Sequence, residues 1–256
     1  MTSISPSLLA FGRSANGAPP KHLGTRYTPD GHFLREPGNT VVSHITAGSP
    51  SEVAVLAVRD RLVAMPEAGQ FAFTHPSSLH MTIFQGIIEY RRRLPYWPAD
   101  MALDTPIEVM TEHYRAVLKG FAPLEPFRAR VTDITPTGLA LEGDSSVDRS
   151  SLKAWRDTFA ENFGYRHPDH DDYEFHITFA YVIDWLDDAA LPRWQEMLSE
   201  QLSFLREQAP VIELDPPAFC SFEDMNHFEE LIVFSDGASR FQAELLERKD
   251  ALESKC

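Results

Sequence analysis

The stretch SSLHMTIFQG, residues 77–86, sets a histidine and a threonine two positions apart inside an apolar run. Side chains alternate faces along a strand, so His80, Thr82 and Phe84 fall on one face and Leu79, Met81 and Ile83 on the other. The stretch YEFHITFAYV, residues 173–182, repeats the arrangement. There His176, Thr178 and Ala180 share a face, opposite Phe175, Ile177, Phe179 and Tyr181. Each strand offers one greasy face for helices to cover and a second that carries an imidazole beside a hydroxyl. Opposed across a cleft, two such faces supply two acid/base groups and two hydrogen-bond donors.

The triplet alone is weak evidence. Four H-x-[ST] triplets occur, starting at His44, His75, His80 and His176, where roughly 1.3 would arise by chance in a chain of random order. The one at His75 contains Pro76, which breaks strand regularity. The one at His44 runs straight into Ala47-Gly48-Ser49-Pro50, a helix start, so Thr46 falls at a strand end. Only the triplets at 80 and 176 sit inside apolar alternation on both sides.

The flanking sequence predicts an α+β fold. Asn39–Thr46 reads as a strand, and Ser49-Pro50-Ser51-Glu52 as a capping box opening a helix. Thr105-Pro106-Ile107-Glu108 reads as a second capping box. Strands follow at FRARVTDI and LALEG around the Pro136-Thr137-Gly138 turn. Leu152, Trp155, Phe159 and Phe163 stripe another helix; Leu191, Trp194, Leu198 and Leu205 stripe a further one. EFHITFAYVI reads as one strand, and PVIELDPPAFCSF and FEELIVF as closing strands. Short turns between strand pairs favour antiparallel sheets with helices on their outer faces over a doubly wound parallel sheet. The recurrence of the pattern around positions 80 and 176 suggests a duplicated, bilobal body over residues 39–236. Residues 1–38, rich in Gly and Pro, read as an N-terminal extension, and residues 237–256 as a charged helix and tail.

Composition narrows the partners. The chain has 256 residues and a formal charge of −15, which argues against a long polyanion and leaves room for a small anionic ligand in a local basic patch. Its two cysteines, Cys220 and Cys256, fit neither a disulfide framework nor a four-cysteine zinc site. The longest early apolar run, LLAF, is too short for a signal-peptide core, and no 18-residue apolar stretch occurs. A cytoplasmic protein without membrane contact is the expectation.

Metal-free phosphodiester cleavage suits two imidazoles and two hydroxyls. A neutral imidazole takes a proton from the attacking oxygen, an imidazolium gives one to the leaving oxygen, and the hydroxyls hold the non-bridging oxygens. Histidine serves both roles because its unperturbed pKa lies close to neutrality.

The paired strands HMTI and HITF resemble the two-histidine (2H) phosphoesterase superfamily, whose motif is a histidine, a hydrophobic residue and a Thr or Ser, occurring twice. That superfamily includes bacterial RNA 2′,3′-cyclic phosphodiesterases and plant enzymes acting on cyclic ADP-ribose phosphate. GNTVVSHI and FCSFEDMNHF are similar to a less characterised bacterial branch. The resemblance implies a single bilobed domain with pseudo-twofold symmetry and an active site between its lobes. It also implies that His80 and His176 form the acid/base pair, that Thr82 and Thr178 hold phosphate, and that no cofactor is needed. The substrate would be a small cyclic nucleotide or an RNA end.

Further residues are candidates for the pocket. Phe84 and Phe222 could form hydrophobic walls, and Arg128 and Arg130, sharing a strand face, could steer a phosphate. YRRRLPYWP, residues 90–98, could stack and hold a base. RHPDHDDYEFH, residues 166–176, offers His167, His170 and an aspartate as an alternative metal site for a metal-dependent hydrolase. A non-catalytic nucleotide-binding module is the third reading.

Overall fold

The two histidine strands lie side by side at the middle of one antiparallel sheet. In this computed structural model, which describes residues 3–235, the strands are β1 (Gly38–His44), β2 (Phe71–Phe73), β3 (His80–Phe84), β4 (Ala129–Thr135), β5 (Gly138–Gly143), β6 (Phe175–Thr178), β7 (Ala180–Val182), β8 (Ala218–Phe222) and β9 (Glu229–Val233). The helices are α1 (Pro6–Leu9), α2 (Pro50–Val63), α3 (Ile107–Val117), α4 (Ser146–Phe163) and α5 (Leu191–Gln208). Seven strands run in the order β4-β5-β6-β3-β1-β8-β9, and β2 pairs with β7 in a small second sheet. Every paired neighbour is antiparallel. The α+β class expected from the sequence is present. Its two halves, β4-β5-β6 and β3-β1-β8-β9, meet edge to edge at β3 and β6.

Local chemistry sets several boundaries. Ser49 Oγ accepts from the Glu52 N–H at the start of α2, and Glu52 reaches back to the Gly48 N–H, so the cap closes one residue earlier than in the standard box. The expected box at Thr105 does not form: Pro106 occupies the cap position without a side-chain acceptor, and the Thr105 carbonyl is taken by Arg92 Nη1 at 2.6 Å. A box the sequence reading missed opens α4, where Ser145 and Asp148 satisfy each other's backbone. EFHITFAYVI is not one strand. The N–H groups of Phe179 and Ala180 both turn to the Thr137 carbonyl, and Ala180–Val182 leaves to pair with β2.

Helices α3 and α4 pack on β1, β3 and β5, while α5 covers β4 and lies against α2. Val41, Met81, Ile83, Leu139 and Ile177 bury themselves in this main core. A smaller cluster of Val42, Phe222, Met225 and Phe228 forms beside it. Parts of the N-terminal segment pack against the body: Leu8 joins the main core, and Arg26 Nε meets Glu36 Oε2 at 2.6 Å in a buried ion pair. Cys220 is buried and has no disulfide partner among the described residues. The charged helix and tail expected over residues 237–256, with Cys256, lie outside the described residues. Among the described residues, no helix is long and apolar enough to cross a membrane.

Candidate active site

Met81 and Ile177, the central residues of the two motifs, are register partners. Antiparallel pairing therefore sets His80 opposite Thr178 and Thr82 opposite His176. Met81 and Ile177 are both fully buried, so the other four side chains project from the opposite face of the sheet. All four line one cleft of about 370 Å³. Two antiparallel strands paired at their midpoints thus gather two imidazoles and two hydroxyls around a local pseudo-twofold axis.

Each imidazole is oriented in the same way. His80 Nδ1 lies 2.6 Å from the Ser78 carbonyl oxygen, and His176 Nδ1 lies 2.9 Å from that of Glu174, in both cases two residues back along the chain. A carbonyl only accepts, so Nδ1 holds a hydrogen on each ring and Nε2 is the nitrogen left to exchange a proton with a ligand. The rings differ in exposure. His80 packs against Phe228, with centroids 4.3 Å apart, and against His44 at 5.9 Å. Burial, with His44 adding to it, pushes His80 down to about 3 despite the opposing bond to Ser78. It is neutral at pH 7. His176 stands in the exposed part of the cleft.

The cleft continues into a basic and aromatic wall formed by Lys21, His22 and Arg26 of the N-terminal segment together with Tyr90, Arg91 and Tyr96. His22 packs against Tyr90 at 5.4 Å, and Arg91 lies over Tyr96 at 4.7 Å. Burial first, then Arg26, Lys21 and Arg91, holds His22 down to about 4. Thr74 and Ser78 also border the cleft. None of the N-terminal residues was singled out from sequence, because KHLGTR sits among glycines and prolines without strand or helix periodicity. Its clustered Lys, His and Arg was the available signal.

Of the further candidates, Phe222 lines the cleft. Phe84 does not. The register between β1 and β3 shifts between Val41 and Val42, opposite Ile83 and Phe84. This bulge breaks the alternation, and Phe84 turns into the core against Phe163 and Tyr165. Arg128 and Arg130 also lie elsewhere, exposed by the outer edge strand β4 and paired with Asp144 at 3.1 Å and Glu142 at 2.5 Å. In YRRRLPYWP the roles divide: Tyr90, Arg91 and Tyr96 face the cleft, whereas Arg92 pairs with Glu89 and Trp97 is buried.

The histidines of the 166–176 loop do not converge. His167 and Asp169 border the main cleft, while His170 lines a separate cavity of about 690 Å³ and meets Asp157 at 2.9 Å. Asp157, His170 and Asp171 bring their ligand atoms within 4.8 Å of one another. Lys153 and Arg166 already contact both carboxylates, the nearest approaches being 2.7 Å. Two cations thus already balance the charge of these carboxylates.

The chain thus carries two adjacent His-x-Thr strands whose four polar side chains line one cleft. The family model described as "2H-phosphodiest: Domain of unknown function (DUF1868)" matches residues 26–140, a span that includes the first motif. The chain belongs to this 2H family, in a poorly characterised branch. It is similar to a conserved protein of unknown function from Agrobacterium tumefaciens, at 53% identity, with a TM-score of 0.90 over 91% of this chain and 100% of that one. No curated protein matches.

Proposed function

We propose that the protein is a metal-independent cyclic phosphodiesterase that hydrolyses a 2′,3′-cyclic or related cyclic phosphate on a small nucleotide or RNA end. One observation carries the reading: the register pair Met81–Ile177, which brings His80, Thr82, His176 and Thr178 into one cleft. His80, kept neutral by burial, takes the proton from the attacking water through Nε2. His176, at the open side, gives a proton to the leaving oxygen. Thr82 and Thr178 donate to the non-bridging oxygens, on which negative charge must be held in the transition state. Water adds to phosphorus as the ring P–O bond breaks, and the product is a phosphomonoester with a freed hydroxyl. The chemistry needs no Lewis acid because the protons and charge are handled by side chains.

The test is turnover of 2′,3′-cyclic nucleotides and ADP-ribose cyclic phosphate in EDTA, for wild type, His80→Ala and His176→Ala. Activity that survives chelation and is lost in both variants is the expected result. Activity that appears only with an added divalent ion would instead favour a metal-dependent hydrolase. Nucleotide binding without turnover under any condition would leave a receptor module.

A further inference from the structure

We infer that the far end of the cleft is a second anion subsite built by Lys21 and Arg91, so that the preferred substrate carries a second phosphate besides the one held at the histidines. This rests on the phosphodiesterase reading for what occupies the near end of the cleft, but not for the subsite itself.

The whole chain bears a formal charge of −15, yet the cleft wall holds Lys21, Arg26 and Arg91 against a single carboxylate, Asp169. Arg26 is neutralised by Glu36. Among the described residues, Lys21 and Arg91 make no ion pair within 4.0 Å, and both line the same cleft. Two cations left unpaired in one cavity of an acidic protein repel each other unless an anion joins them.

Arg91 is also short of acceptors. A guanidinium offers five N–H donors, and the single side-chain bond it makes is Nη1 to Gln85 Oε1 at 3.1 Å. Its Nε is buried without a partner. The remaining Nη hydrogens have no protein acceptor among the described residues, and a phosphate is the acceptor best matched to a guanidinium. The Tyr96 ring lies beneath it, 4.7 Å from the guanidinium carbon. Arg91, through Gln85, thus lies on the same cleft as Thr82, so a nucleotide is the ligand class that can carry one phosphate to each.

The experiment compares binding of adenosine 2′-phosphate and adenosine 2′,5′-bisphosphate by calorimetry at fixed ionic strength, for wild type, Lys21→Ala, Arg91→Ala and Arg91→Lys. Two added charge-assisted contacts should make the bisphosphate bind about tenfold tighter or more in wild type. The ratio should fall towards one in either alanine variant and be partly kept in Arg91→Lys. Lys21 is exposed, so its substitution leaves the packing intact. Equal affinities in wild type, or no binding of either compound, would overturn the subsite. A preserved preference in a protein that turns over no cyclic phosphate would remove the phosphodiesterase reading and leave the subsite standing.

Discussion

Met81 and Ile177 face each other across the seam between β3 and β6, each flanked by the histidine and threonine of its own motif. Neither touches the cleft, yet their pairing decides what the cleft contains. A slip of one residue would turn one motif's polar pair into the core and its apolar residues into the cleft. Full burial of both side chains fixes the register.

On the proposed mechanism His80 and His176 each carry one proton transfer, so alanine at either should lower kcat by about 10²–10⁴-fold. Thr82→Val or Thr178→Val should cost about 10²–10³-fold in kcat. Steady-state rates together with melting curves separate this from misfolding. Loss in only one histidine variant would contradict the paired assignment.

Acid should destabilise the protein earlier than carboxylate protonation alone would. Burial holds His80 down to about 3 and His22 and His167 down to about 4, and it lowers His170 as well. In the unfolded chain these groups return to about 6.5, so between that pH and about 4 the unfolded state binds protons that the folded state rejects. Their contribution is in place above pH 6.5 and is lost as pH falls towards 4. Tm should drop between pH 7 and pH 5, with a shallower slope in His22→Gln. A Tm constant over that range would refute the account.

Gly138 takes a φ of 151°, and a Cβ there would lie 2.0 Å from the Ile177 carbonyl oxygen. Gly138→Ala should therefore force β5 away from β6 and cost at least about 2 kcal/mol, in the upper range for single substitutions. Gly69, with nothing within 4 Å, is the control position. Urea midpoints for the two alanine variants make the comparison.

Arg26 and Glu36 form a pair with side chains 9% and 3% exposed. Removing one partner strands a buried charge, so Arg26→Ala or Glu36→Ala should each cost about 3–5 kcal/mol. Replacing both by apolar residues of similar volume, Arg26→Met with Glu36→Leu, should cost less than either single change. Equal destabilisation in all three variants would point to lost packing instead of an orphaned charge.

Much of this was legible because period-two patterning is strong where one face of a strand is buried. Met81, Ile83, Phe175 and Ile177 announced two strands, and the polar residues between them named the cleft. Phe84 was misassigned because a bulge has no signature in apolar pattern; both residues opposite Val41 look equally suited to a core. Arg128 and Arg130 share a strand face as expected, but nothing local reveals that their strand is the far edge of the sheet. Thr105 had the letters of a cap, yet Pro106 took the position. Lys21, His22 and Arg26 were hidden for a different reason. An irregular segment owes its shape to long-range contacts such as Arg26 with Tyr90 and Tyr181, which sequence spacing does not encode.

The strand order also dictates a timetable. β4, β5 and β6 are close in sequence and pair with one another, whereas β1 obtains its partner β8 only through contacts such as Val42 with Ala218. Long-range pairings of this kind close late because the intervening chain must first be ordered. During synthesis, the half that carries His176 has all its strands before β8 exists. Hydrogen exchange on a nascent chain ending at residue 216 should find β4–β6 protected and β1 still open on one side. The lobe begun first is the one finished last.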